Sequence, residues 1–172
     1  MKPLSRFKKE EYATKLTLIG VFLSVFAAFV SRFRGGEKRL EDPRLKPLDL
    51  VMLSLATLRL GRMLSYDLIM ESVRWPFAKT VPDQTGAGFT VVARDGSGVE
   101  HSIGQLLSCP ICSGTWIAAG LVYALHAIPN PTRIFLEIFS ITGLTEIFNA
   151  LIEALSWSGE VARAVRGEKE EE

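Results

Sequence analysis

Between Ser102 and Pro131 the chain carries no Asp, Glu, Lys or Arg. The centre of that stretch, from about Cys112 to Ile128, reads as a transmembrane helix, since a bilayer asks for roughly 20 predominantly apolar residues. A second uncharged run, Leu16 to Ser31, is flanked by Lys15 and Arg32, whose long side chains can snorkel to the interface and bring the helix to spanning length. A basic start before an apolar core is shared with cleaved leaders. No convincing small-x-small cleavage site follows, so the run is read as a first span.

The rest of the chain is wetter. At 172 residues and 48% apolar content it lies between soluble globules and dense membrane bundles. Lys plus Arg number 20 against 19 Asp plus Glu, which lacks the basic surplus of a nucleic-acid binder. A second helix is expected from Pro47, a favourable first-turn residue, to near Trp75, where Pro76 stops it. The segment "FTVVARDGSGVEHSI" has β-rich flanks around Asp95-Gly96-Ser97-Gly98 and predicts a hairpin over 88–103. After "IPNPT", Arg133 to Trp157 reads as a last helix. The charged end, 158–172, is expected to be disordered. The predicted architecture is an all-α membrane protein of about four transmembrane helices with a small cytoplasmic β-hairpin. Residues 1–46 form an extra membrane helix and basic loop, added to a three-span core at 47–157.

Orientation follows from charge and aromatic placement. Four spans put the amino terminus, the hairpin region and the tail on one side, which collects 13 Lys plus Arg against seven opposite and is therefore expected to be cytoplasmic. Tyr12, Tyr66, Trp75, Trp116 and Trp157 fall at helix ends brought to that same interface, with the three tryptophans as its anchors.

The order of "LATLRLGRMLSYDLIMESVRWPF", "IGQLLSCPICSGTW" and "ITGLTEIFNAL" resembles a small bacterial membrane family catalogued as domain of unknown function thirteen-sixty, some of whose members are linked to sporulation or found in phages. The resemblance covers about residues 47–155. Its most specific part is matched by Ser108, Cys109, Cys112, Ser113, Gly114 and Trp116, and a second signature by Arg59, Arg62 and Asp67. Ile111 stands where members often have an aromatic residue. The resemblance implies architecture and brings no established activity.

In "SCPICSG", Pro110 suits the first position of a helix, with Cys109 as its cap and Cys112 in the first turn. First-turn N–H groups aimed at Cys109 can favour a thiolate. Three readings stay open: buried structural thiols, a redox pair or reversible disulfide, and a metal site. One Cys-x-x-Cys supplies two zinc ligands, to which His101 could add a third. Cys-Pro-x-Cys also looks like a glutaredoxin motif, with Thr80 to Pro82 as its proline stretch. The order is reversed, however, and a membrane helix follows.

Arg59 and Arg62 lie ten or more residues into the second helix, where an unpaired charge costs a few kcal/mol or more. No residue three or four positions away is acidic. At 1.5 Å per residue, Arg62 and Glu146 reach about the same depth, roughly 20 Å. The second and last helices are therefore expected to adjoin, with Arg62 or Arg59 bonded to Glu146. The alternative keeps these charged halves wet at the interface. Gly114, Ala118, Ala119 and Gly120 could permit close helix contact. Phosphate-loop, dinucleotide and zinc-protease motifs are absent, and His126 reads as an interfacial residue.

These readings point to a non-catalytic structural or accessory subunit of a membrane assembly, in contact with lipid. It is expected to be homo-oligomeric or part of a larger complex, without nucleic acid and without a required cofactor. The alternatives are a membrane thiol-redox or metal-binding protein using Cys109 and Cys112, and a small pore or transporter.

Overall fold

The computed structural model describes residues 6–34, 46–82 and 89–170, with side chains over 6–31, 46–82 and 89–159. In chain order the elements are α1 (Arg6–Arg34), α2 (Pro47–Tyr66), a 3-10 turn (Leu68–Met70), α3 (Glu71–Arg74), β1 (Ala78–Pro82), β2 (Phe89–Ala93), α4 (Gly98–Ser108), α5 (Pro110–Ala127) and α6 (Pro129–Glu170). The expected basic loop after α1 lies outside the described residues.

Pro47 starts α2 at its first position, and the Asp49 carboxylate accepts the Lys46 N–H at 3.1 Å. The helix ends at Tyr66 rather than near Trp75, because Asp67 turns extended (φ −66°, ψ 138°). Arg74 makes this end stable. Its side chain, only 1% exposed, folds back and donates to the carbonyls of Leu64 (3.2 Å), Tyr66 (3.4 Å) and Asp67 (2.9 Å). Carbonyls of a last helical turn have no partner within their own helix, so a buried guanidinium offering several donors replaces the water they lose.

The two strands pair antiparallel, Ala78 opposite Ala93 through Pro82 opposite Phe89. This corrects the hairpin expected over 88–103. Ser97 instead caps α4: its hydroxyl accepts the Glu100 N–H at 3.3 Å, and the Glu100 carboxylate accepts the Ser97 N–H at 3.0 Å. Ser-x-x-Glu is a capping-box sequence, and here its reciprocal bonds outweigh the turn preference of Asp95-Gly96. The small sheet rests on α4, where Gly104 lies so close to the Phe77 carbonyl that a side chain would collide with it.

Helices α4 and α5 meet at an 80° bend at Cys109. Helix α6 begins at Pro129, with only Ile128 between it and α5, and continues to Glu170, so the expected disordered tail is helical through most of its length. Its Ala, Arg and Glu content is favourable to helix.

The core is a three-helix bundle in which Leu53 and Ala56 of α2 meet Leu121 and Leu125 of α5 and Leu136 of α6. Helices α2 and α6 run parallel. Ser140 donates to the Met52 carbonyl at 2.9 Å, and three residues further along each helix Gly143 faces Leu55. A Cβ on Gly143 would sit 2.5 Å from the Leu55 carbonyl oxygen. Helix α5 runs the other way, with Gly61 against the Pro110 carbonyl and Gly114 against Thr57. Close approach thus depends on Gly61 and Gly143 more than on the expected Gly114–Gly120 stretch, since a Cβ on Gly120 would meet nothing within 4 Å. Helix α1 lies parallel to α5: Phe22 meets Trp116 edge-on at 5.1 Å, and Phe29 stacks on Tyr123 at 4.2 Å, two turns along both helices.

Among the described residues, two helices can cross a membrane by length and composition, Arg6–Ser31 and Pro129–Gly159, and a third crossing arises if the bent α4–α5 pair is one span. Helix α2, with Asp49, Arg59 and Arg62, falls short of that criterion, so two or three of the four expected spans are apolar enough by themselves.

Candidate functional site

Two side-chain groups stand out, one at the start of α5 and one between α2 and α6. At the first, Cys109 is the residue before the helix (φ −112°, ψ 104°), Pro110 opens it, and the Cys109 sulfur accepts the Cys112 N–H at 3.3 Å. The two Cα atoms are 5.2 Å apart and the two sulfurs face each other at close range in a disulfide-like arrangement. Of the three readings of the pair, this closeness fits the reversible disulfide. One turn of helix is the spacing at which a cap residue and a first-turn residue point the same way.

Beside the pair lies a groove of about 580 Å³ between α1, α4 and α5, with Cys112 and Trp116 in its wall. His101, the third proposed metal ligand, is engaged elsewhere. Its Nδ1 is 3.1 Å from the Arg94 carbonyl, its Nε2 is 3.1 Å from the Gln105 amide, and its ring packs on Phe7. Among the described residues no three His, Cys, Asp or Glu side chains gather as a metal site would require.

The second group is a chain of alternating charges. Arg62 donates through Nε to Glu146. Arg59 Nη1 is 3.7 Å from the other Glu146 oxygen, and Arg59 grips Asp67 with both Nη atoms at 2.6 and 3.4 Å. The group holds two positive and two negative charges. At the far end of the same helix pair, Arg133 lies 3.7 Å from Asp49. Each helix advances 13 residues between the two contacts, about 20 Å, which only parallel helices allow.

Sequence reasoning missed Asp67 as a partner, the Asp49–Arg133 contact and Arg74. Asp67 lies eight positions after Arg59, beyond the usual three-or-four window, and reaches back because the helix ends there. The expected interface anchors have different surroundings. Trp75 is 63% exposed with the Arg94 guanidinium 5.2 Å from its ring centroid, Trp116 packs on Phe22, and Trp157 is 72% exposed on α6.

These features define a mostly helical protein with two or three helical stretches long and apolar enough to cross a membrane, a two-stranded sheet and a close cysteine pair at a helix start. The profile of the family described as "Protein of unknown function (DUF1360)" matches residues 52–152, from the first turns of α2 to the middle of α6, and the chain belongs to that family. It is similar to "Sporulation protein YjcA" of Bacillus subtilis (strain 168), 37% identical over 107 residues, which are 61% of this chain and 91% of the relative. It is also similar to "UPF0713 protein YngL" of the same organism, 29% identical over 111 residues, 63% of this chain and 82% of that protein. No solved structure matches.

Proposed function

We propose that the chain is an integral protein of the cell membrane that serves as a structural or accessory subunit of a membrane assembly. The observation that supports this is the distribution of polarity on α6. Ile141, Leu144, Phe148, Leu151 and Leu155 are exposed, whereas Glu146 turns toward two arginines of α2. Water-soluble monomers rarely leave an apolar surface of this extent uncovered. In lipid such a surface is satisfied, and inward charges persist when they neutralise one another. Helix directions agree with crossings in alternation, α1 and α5 one way and α2 and α6 the other. That arrangement brings the chain's two ends and the sheet to one side, which the 13 to seven excess of Lys plus Arg favours as cytoplasmic.

Two measurements test this reading. The chain is expected to stay in the membrane pellet after alkaline carbonate washing and to fly as an oligomer or with a partner in native mass spectrometry from mild detergent. Release by carbonate would overturn the membrane reading. A lone monomer would overturn the subunit role. The similarity to a sporulation protein makes spore formation the process in which to look for a phenotype.

The disulfide favours a second reading, a membrane thiol-redox protein using Cys109 and Cys112, which is compatible with membership of a larger assembly. Under this reading the double serine variant loses the phenotype while retaining its fold.

A further inference from the structure

The groove beside the cystine is graded in polarity along α1. Lys15 stands at one end and Leu18, Ile19, Phe22 and Leu23 follow, a rise of about 12 Å over eight residues. Ser102 and Gln105 of α4 add polar atoms to the lining, and Ser102 reaches the Glu11 carbonyl at 3.4 Å, which places it beside the Lys15–Glu11 pair. On the opposite wall Cys112 is followed one turn later by Trp116, whose ring is met edge-on by Phe22. The groove thus combines hydrogen-bond donors, aromatic walls, an apolar track and one sulfur of a disulfide. Its volume of about 580 Å³ is ample for a ring with a short apolar tail.

We propose that this groove holds the ring of a membrane quinone, which exchanges two electrons with the Cys109–Cys112 pair. The inference rests on the thiol-redox reading and names its redox partner. A lipid-soluble oxidant suits the place because α1 and α5, which flank the groove, are both read as crossing the bilayer, so the groove opens where such a molecule resides. Of the two cysteines, Cys112 is the exposed residue and the one that lines the groove. Cys109 is half-buried and receives the Cys112 N–H, a position in which the start of a helix stabilises a thiolate.

The exchange balances as follows. In the reduced pair, Cys112 as thiolate adds to a ring carbon of the quinone, forming a C–S bond and moving an electron pair onto a carbonyl oxygen. The Cys109 thiolate then attacks the Cys112 sulfur. The S–S bond forms, the C–S bond breaks and its electron pair stays with the ring. The two ring oxygens take up the two protons released by the thiols. The dithiol is oxidised to the disulfide, and the quinone is reduced by two electrons to hydroquinone. Lys15 and Gln105 are the N–H donors that can hold a carbonyl oxygen at the polar end.

The test uses the full chain in mild detergent, reduced, freed of reductant and kept without oxygen. It is mixed with a short-tailed benzoquinone whose ring is fully substituted, which suppresses stable thiol adducts. One hydroquinone is expected per chain, with loss of both thiols, and none from the C109S/C112S variant. Trp116→Ala removes an aromatic wall and Ile19→Trp fills the groove. Each is expected to slow the reaction about tenfold, equivalent to about 1.4 kcal/mol and within the range of one lost aromatic contact. Both variants should still be oxidised by glutathione disulfide at the wild-type rate, which shows that the pair itself is intact. If glutathione disulfide oxidises the pair but the quinone reacts no faster with wild type than with the folded groove variants, the quinone site is overturned and the redox reading stands. If the pair cannot be cycled by any thiol reagent, the redox reading falls and the quinone site with it.

Discussion

Glu146 meets two arginines with one carboxylate, so its loss takes from Arg62 its carboxylate partner and from Arg59 the more distant of its two. Removing one member of a buried pair costs about 3–5 kcal/mol; because Arg62 is half exposed and Glu146 a quarter exposed, Glu146→Gln is expected to cost about 1–3 kcal/mol. Thermal unfolding in detergent reads this out. The double variant Arg62→Met, Glu146→Met should recover much of that loss, because Arg59 keeps Asp67 and no other charge is orphaned. Helical rise by itself puts Arg62 and Glu146 at similar depth. It carries no sign of Asp67 or Arg74, whose partners are created by the chain turning back at the end of α2.

At the scale of elements, helix starts were the most legible features. Pro47 and Cys109-Pro110 each act on backbone groups within one turn, and a signal of that range is present in the sequence itself. The hairpin was misplaced because Asp95-Gly96 fits a turn and the approach to a cap equally well. What separates the two is Glu100, whose side chain reaches the Ser97 N–H. Which glycines permit close approach was not legible either, since that depends on the facing helix. Gly143→Ala is expected to push α2 and α6 apart and cost about 1–3 kcal/mol, whereas Gly120→Ala, in open space, should be neutral or stabilising by up to about 1 kcal/mol. Comparing the unfolding midpoints of the two variants checks the pair.

For the whole molecule, helix direction carries the topological argument. If α1, α2, α5 and α6 all cross, Lys79 on β1 and Asn130 at the start of α6 lie on opposite faces of the membrane. In a background lacking the native cysteines, Lys79→Cys should resist an impermeant maleimide on intact cells and Asn130→Cys should react with it. Labelling of both from outside would reject the arrangement. The sequence by itself determined the apolar runs, the principal helix starts and the family, because hydropathy and capping act between a residue and its immediate surroundings. Only the tertiary structure decided which strands pair, which carboxylates the arginines find and that Cys112 of the close cysteine pair stands in the wall of an apolar groove. Those are relations between faces far apart in the chain, and they exist only once the helices have packed.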